Sequence, residues 1–217
     1  MSELIIVAGP QASGKSTTID MLNRQFRTMS PLLPVRKRPI IFPLQESRQI
    51  VIHKHMLLGG IFMTKEHEQE VVECDIIRMN LILKRNCKRI VYMDECNIFT
   101  IAHARVNGAT HPEAYWGTYM ALLEKLQTKV IFLDVPPDVS WERRRRKYEE
   151  RLIYFPKKRH AEITKQYRTQ LYRMYPMLKE LYRRIPFPKE IIDACAPSEF
   201  VLQQASGALA RLSTAFR

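Results

Sequence analysis

The longest uninterrupted apolar run in the sequence is only eight residues, Met56 to Met63. A membrane-spanning helix needs about 18, so none is expected. Glycine is scarce, 7 of 217 residues, and with 13 prolines the two together fall far short of what collagenous and low-complexity chains carry. Four cysteines stand at 74, 87, 96 and 195, with no C-x-x-C pair and no nearby paired histidine. That spacing argues against a zinc site and predicts reduced, mostly buried thiols. His53 and His55 lie two apart and so do not share a helical face, which argues against a metal pair there. The run Leu4-Ile5-Ile6-Val7-Ala8 follows Glu3 instead of a basic region and leads into Gly9, without the parts of a signal peptide, so a cytoplasmic protein is expected. No internal repeat of 20 to 50 residues is present, which removes solenoids and propellers.

What is present suits one globular domain over residues 1–217: 46% apolar and 26% charged residues. The net charge of +13 is unevenly spread. Residues 141 to 189 hold 16 Lys/Arg against 5 Asp/Glu, a local +11 that implies a polyanion or a phosphate-bearing ligand. Short Ile/Val-rich runs at Leu4–Ala8, Pro39–Phe42, Arg89–Met93, Val130–Asp134 and Glu190–Asp193 read as strands. Helical patterns run over about 15–26, 66–84, 113–126, 138–151, 160–184 and 197–212, the second with Val72, Ile76, Met79 and Leu83 as its apolar stripe. Residues 43–66 and 97–112 read as loops. Strand runs alternating with helices predict an α/β fold, a parallel sheet covered on both faces, with ligands at the carboxyl ends of the strands.

The informative motif is Gly9-Pro10-Gln11-Ala12-Ser13-Gly14-Lys15-Ser16, followed by Thr17. It matches G-x-x-x-x-G-K-[ST] in full, after a strand and opening a helix. Its backbone N–H groups and the helix amino end would form an anion nest. Lys15 would bridge the β- and γ-phosphates of ATP, and the Ser16 hydroxyl would join a Mg²⁺ shell. The run Arg89-Ile90-Val91-Tyr92-Met93-Asp94-Glu95 ends in two acids as a Walker B strand does. Asp94 would hold Mg²⁺, and Glu95 could accept the acceptor's proton. No arginine stands among the variable positions of the loop, so charge that develops during transfer needs a cation from elsewhere. Trp141-Glu142-Arg143-Arg144-Arg145-Arg146-Lys147 supplies candidates, with Arg143 and Arg146 or Lys147 three or four apart on one helical face.

These residues resemble the thymidylate kinase and deoxynucleoside kinase group of small P-loop kinases. Besides the loop, the resemblance rests on Val130-Ile131-Phe132-Leu133-Asp134-Val135-Pro136-Pro137 followed by Glu142-Arg143, and on Ile192-Asp193-Ala194 before the last helix. It implies a P-loop NTPase fold: a five-stranded parallel sheet in order 2-3-1-4-5, an acceptor-side helical region at about 44–88 and a basic helical lid at about 138–160. It also implies ATP with Mg²⁺, lid arginines on the transferring phosphate, and Asp193, Ala194 and Cys195 near the base. Thymidylate kinases commonly follow the Walker B Asp with an Arg and carry a T-R-E-P-G-like run after the second strand. Here Glu95 and Phe42-Pro43-Leu44-Gln45-Glu46-Ser47-Arg48 stand there, which argues against thymidylate as the acceptor. Deoxynucleoside kinases place a Glu at the end of the second strand as base, and Glu46 sits at about that position. An acid in the first turn of the next helix reads the same way. Arg48 and Arg78 are candidate acceptor contacts.

The expectation is therefore phosphoryl transfer from ATP to a nucleoside, nucleotide or similar small acceptor, with a homodimer left open. A GTPase would need D-x-x-G and N-K-x-D, and neither occurs. A polynucleotide 5′-kinase or nucleic-acid-binding P-loop NTPase is the rival, since Tyr148, Tyr154, Tyr167, Tyr172, Tyr175 and Tyr182 interleave with the cations. Ile163, Tyr167, Leu171, Met174, Leu178 and Tyr182 also repeat every three or four residues, which makes them the buried stripe of one helix.

Overall fold

The computed structural model describes residues 3–29, 39–43, 65–84, 90–94, 97–108 and 112–214. Their strands are β1 (Glu3–Ala8), β2 (Ile40–Pro43), β3 (Ile90–Asp94), β4 (Gln127–Asp134) and β5 (Lys189–Asp193). All pair in parallel, in the order β2-β3-β1-β4-β5, with β1 between β3 (Val7 opposite Asp94) and β4 (Val7 opposite Ile131). Parallel pairing demands crossovers, which the helices supply: α1 (Lys15–Met29), α2 (Lys65–Lys84), α3 (Asn97–Val106), α4 (Pro112–Leu123), α5 (Pro137–Leu152), α6 (His160–Arg184) and α7 (Ser198–Thr214).

Period-two alternation splits the strand residues between two cores. Leu4, Ile6, Val91, Met93, Val130 and Phe132 face one way, onto side chains of α2, α3, α4 and α6. Ile5, Val7, Tyr92, Ile131, Leu133 and Ile192 face the other, onto α1 and α7. Each such side chain removed from water contributes roughly 1.5–3 kcal/mol before chain entropy is counted. A third cluster, Trp141, Tyr148, Ile163, Tyr167 and Leu171, lies wholly between α5 and α6.

Two expectations about local structure change. Residues 97–106, read as part of a loop, form α3. Every side chain from Ile98 to Ala104 is buried, Thr100 and His103 included. A helix buried on all sides shows no apolar stripe, so periodicity could not find it. The thiols also differ from expectation: Cys74 is half-buried and Cys195 exposed. Cys87 and Cys96 lie outside the described residues.

On α2, Val72 and Met79 are buried and Ile76 packs against the core as its stripe requires, but Glu68 and Asp75 occupy the same face and are buried too. α3 and the residue that follows it meet them with donors. Thr100 Oγ1 donates to Asp75 Oδ2 (2.6 Å) and Asn107 Nδ2 to Glu68 Oε1 (2.7 Å), which offsets part of the desolvation of two carboxylates. The α6 stripe from Ile163 to Tyr182 is buried residue for residue, and the helix continues through Pro176.

Candidate active site

β1 ends at Ala8, and the chain turns through Gly9 and Pro10 into the loop that opens α1. The turn holds three unusual backbone angles, Gly9 at φ 146°, Ala12 at 59° and Gly14 at 88°. Left-handed backbone is ordinary for glycine and strained for alanine, so the loop stores strain at Ala12. A Cβ on Gly9 would lie 2.4 Å from the Leu133 carbonyl oxygen of β4, and the close passage of loop and strand therefore depends on glycine. α1 has no acidic residue in its first turn, which leaves the positive end of its dipole uncompensated by its own side chains.

Lys15 is only 5% exposed. Its ammonium donates to the carbonyl oxygens of Gly9 (3.2 Å) and Pro10 (2.8 Å) and lies 5.6 Å from the Phe99 ring centroid, so the cation sits inside the loop. Ser13 is buried beside it, and its Oγ has no hydrogen-bond partner among the described residues, an orphaned donor that suits an anion in the cradle. The Ser16 hydroxyl donates to Asp94 Oδ2 at the carboxyl end of β3. That contact joins the loop to β3 and places a hydroxyl and a carboxylate together, hard oxygens of the kind Mg²⁺ takes. Among the described residues no group of three His, Cys, Asp or Glu side chains forms a metal cage. One carboxylate, one hydroxyl and the oxygens of a bound phosphate chain would complete a shell.

α5 covers the cradle. The Ser140 hydroxyl donates to the Gln11 carbonyl oxygen, and the Tyr148 hydroxyl to Gln11 Oε1 at 2.5 Å. Arg143 reaches three carbonyl oxygens: Ala12 (3.4 Å), Ala194 (2.9 Å) and Cys195 (3.3 Å). It thereby joins the loop to the segment after β5, where Cys195 N–H donates to Asp193 Oδ1 (2.9 Å). Desolvation and the Asp193 carboxylate hold the Cys195 thiol above its ordinary pKa. Arg146, by contrast, is 93% exposed and pairs with Glu150 four residues on, so the two arginines do not meet at the cradle. Arg145 pairs likewise with Glu149. Gly9, Gln11, Ala12, Ser13, Gly14, Lys15, Ser16, Asp94, Arg143, Ala194 and Cys195 are thus gathered in one region. Thr17 follows in the first turn of α1 and is exposed. Glu46, Arg48 and Glu95 lie outside the described residues; Arg78 belongs to α2, and its side chain is not described.

Ser140 and Tyr148 were not legible as site residues. The available signal was their spacing on the helix after β4, where positions 140, 144 and 148 share a face. Of the interleaved tyrosines, Tyr148, Tyr167 and Tyr182 are buried in packed clusters, leaving Tyr154 and Tyr172 as the exposed ones. No described helix is long and apolar enough to cross a membrane.

No protein-family model matches the chain, and no curated protein matches it in sequence. Solved structures do match. A thymidylate kinase from Ehrlichia chaffeensis aligns with a TM-score of 0.64 at 14% identity, over 96% of this chain and 98% of that one. A deoxyadenosine kinase from M. mycoides, solved with dCMP and a flexible dCDP, aligns at 0.60 and 14% over 96% and 99%. The same kinase with bound dATP gives 0.58 and 14% over 95% and 98%. Over nearly its whole length the chain therefore has the α/β fold of deoxynucleoside and thymidylate kinases, with a parallel sheet between helices.

Proposed function

We propose that the chain is an ATP-dependent phosphotransferase that moves the γ-phosphoryl group to a nucleoside, a nucleotide or a similar small acceptor. The observation that carries this reading is the cradle itself: Lys15 enclosed by its loop, and Ser16 joined to Asp94 across β1 and β3. Similarity to kinases that act on deoxynucleosides and thymidylate supports it.

In this reading the loop N–H groups, the amino end of α1 and Lys15 hold the triphosphate. Ser16 and Asp94 would hold Mg²⁺, which when bound neutralises charge on the β- and γ-oxygens. An acceptor oxygen attacks the γ-phosphorus, the bond to the β–γ bridging oxygen breaks, and ADP leaves with that electron pair. The acceptor's proton passes to a carboxylate, Glu95 or Glu46. Arg143 brings a fixed cation to the rim of the cradle, and Arg146 would reach it only by leaving Glu150. Asp193, Ala194 and Cys195 line the base, and Arg48 and Arg78 meet the acceptor. The polynucleotide reading is not favoured, since three of its six tyrosines are buried.

The test is transfer of label from γ-³²P-ATP to a panel of nucleosides, nucleoside monophosphates and other hydroxyl compounds. Lys15→Met, which keeps side-chain bulk, should reduce turnover by several orders of magnitude while thermal unfolding stays within a few degrees. Undiminished turnover in that variant would overturn the reading.

A further inference from the structure

We infer that Tyr148 is a positioning residue that acts through the Gln11 side chain to set the crown of the phosphate cradle. This rests on the phosphotransferase reading of the same site. Gln11 is the second variable residue of the loop, between Pro10 and the left-handed Ala12. α5 holds it twice, through its main-chain carbonyl by Ser140 and through its carboxamide by Tyr148. The second contact is the more specific. The Tyr148 ring is stacked between Trp141 (centroids 5.4 Å apart, planes 16° apart) and Tyr167 (4.7 Å, 19°), so three rings from two helices fix where its hydroxyl points. Burial pushes the Tyr148 hydroxyl above its ordinary pKa, opposed by the charges of Arg144 and Arg151, and it remains a donor at neutral pH.

A short hydrogen bond from a ring held between two others to a loop side chain is a directional constraint. It links packing within the α5–α6 pair to the geometry of residues 10–12, a stretch with no cationic side chain of its own to order the crown. Tyr148→Phe keeps the stack and removes only the hydroxyl. Gln11→Met keeps length and removes the acceptor, and Gln11→Glu keeps an acceptor oxygen.

Steady-state kinetics on the full chain test the coupling. Tyr148→Phe and Gln11→Met should each lower kcat by about five- to tenfold, the scale of one lost buried hydrogen bond, with KM for ATP changed less than twofold. The double variant should be no slower than the slower single one. Gln11→Glu should keep most of the wild-type rate while Tyr148 is present, and should restore none of the loss when combined with Tyr148→Phe. Wild-type kcat in Tyr148→Phe, or a double variant whose loss is the product of the two single losses, overturns the inference. Native-state hydrogen exchange reads the same link without turnover. Amides of Gly9 and of residues 11–14 should exchange about five- to tenfold faster in Tyr148→Phe, while those of β1 and β3 are unchanged. If the wild type phosphorylates no acceptor in the panel, the phosphotransferase reading fails and the exchange result alone decides the latch: faster exchange supports it and unchanged exchange refutes it.

Discussion

Replacing Gly9 by Ala isolates the demand that the cradle makes on the backbone. The added Cβ would stand 2.4 Å from the Leu133 carbonyl oxygen and 2.9 Å from Ser13 Oγ, the first about 1 Å inside the 3.4–4 Å of ordinary contact. Ser13 can rotate away. The Leu133 carbonyl cannot, because it belongs to β4, which is paired on both sides. Overpacking of a rigid site costs about 1–3 kcal/mol, and a φ of 146° adds strain on the order of 1–3 kcal/mol for a residue with a Cβ. A total near 3 kcal/mol, at an m-value of about 2 kcal/mol per molar urea, lowers the unfolding midpoint by about 1.5 M. Gly14→Ala is the matched comparison. Its φ is also positive, at 88°, but nothing lies within 4 Å of the new methyl group, so only the conformational part, about 1–2 kcal/mol, remains. Gly117→Ala, in α4 with open space around it, should be neutral or gain up to about 1 kcal/mol. Urea melts followed by circular dichroism should rank the midpoints Gly117→Ala, Gly14→Ala, Gly9→Ala from highest to lowest. A Gly9→Ala midpoint equal to that of Gly14→Ala would refute the steric argument, because the two differ chiefly in the contact with Leu133.

Arg143→Ala should weaken ATP binding or turnover at least tenfold more than Arg146→Ala, because only Arg143 joins the loop to the segment after β5; equal losses measured with labelled ATP would contradict this. Lys129 is buried and pairs with Glu3, so Glu3→Ala should destabilise by about 2–4 kcal/mol, more than Lys129→Met, which removes the buried charge itself; denaturant melts giving the reverse order would count against that account. Burial and the Glu3 charge push Tyr92 up to about 12, and burial and Glu190 do the same to Tyr182. An acid whose pKa is raised by folding stabilises fully below its unfolded value near 10. Stability should therefore fall between about pH 10 and 12, and Tyr92→Phe should flatten that decline in melts across alkaline pH. A decline of unchanged steepness would show that other groups control it.

Where local chemistry decided the outcome, the sequence was readable. The loop from Gly9 to Ser16 announces itself because glycine, lysine and serine stand at the fixed offsets an anion nest needs; Lys15 is enclosed by the loop and Ser16 does meet Asp94. β4 was visible from its apolar run and α6 from its stripe, each a direct trace of burial. α3 was invisible for the same reason inverted: buried on every side, it has no polar face to set its period. The buried pair Glu68 and Asp75 was equally hidden, since acids on a helix read as solvated side chains until the partners Asn107 and Thr100 are known. Of the two lid arginines one faces the cradle and one faces solvent. Spacing of three along a helix gives a shared side, and only docking decides which of the two reaches anything.

The α5–α6 pair carries its own oily interior, separate from the two that sandwich the sheet. Damage to that interior, for instance Ile163→Ala, would leave the strands standing and slacken the helix that covers the loop from Gly9 to Ser16. Such a protein could pass every ordinary test of folding and still perform its chemistry poorly.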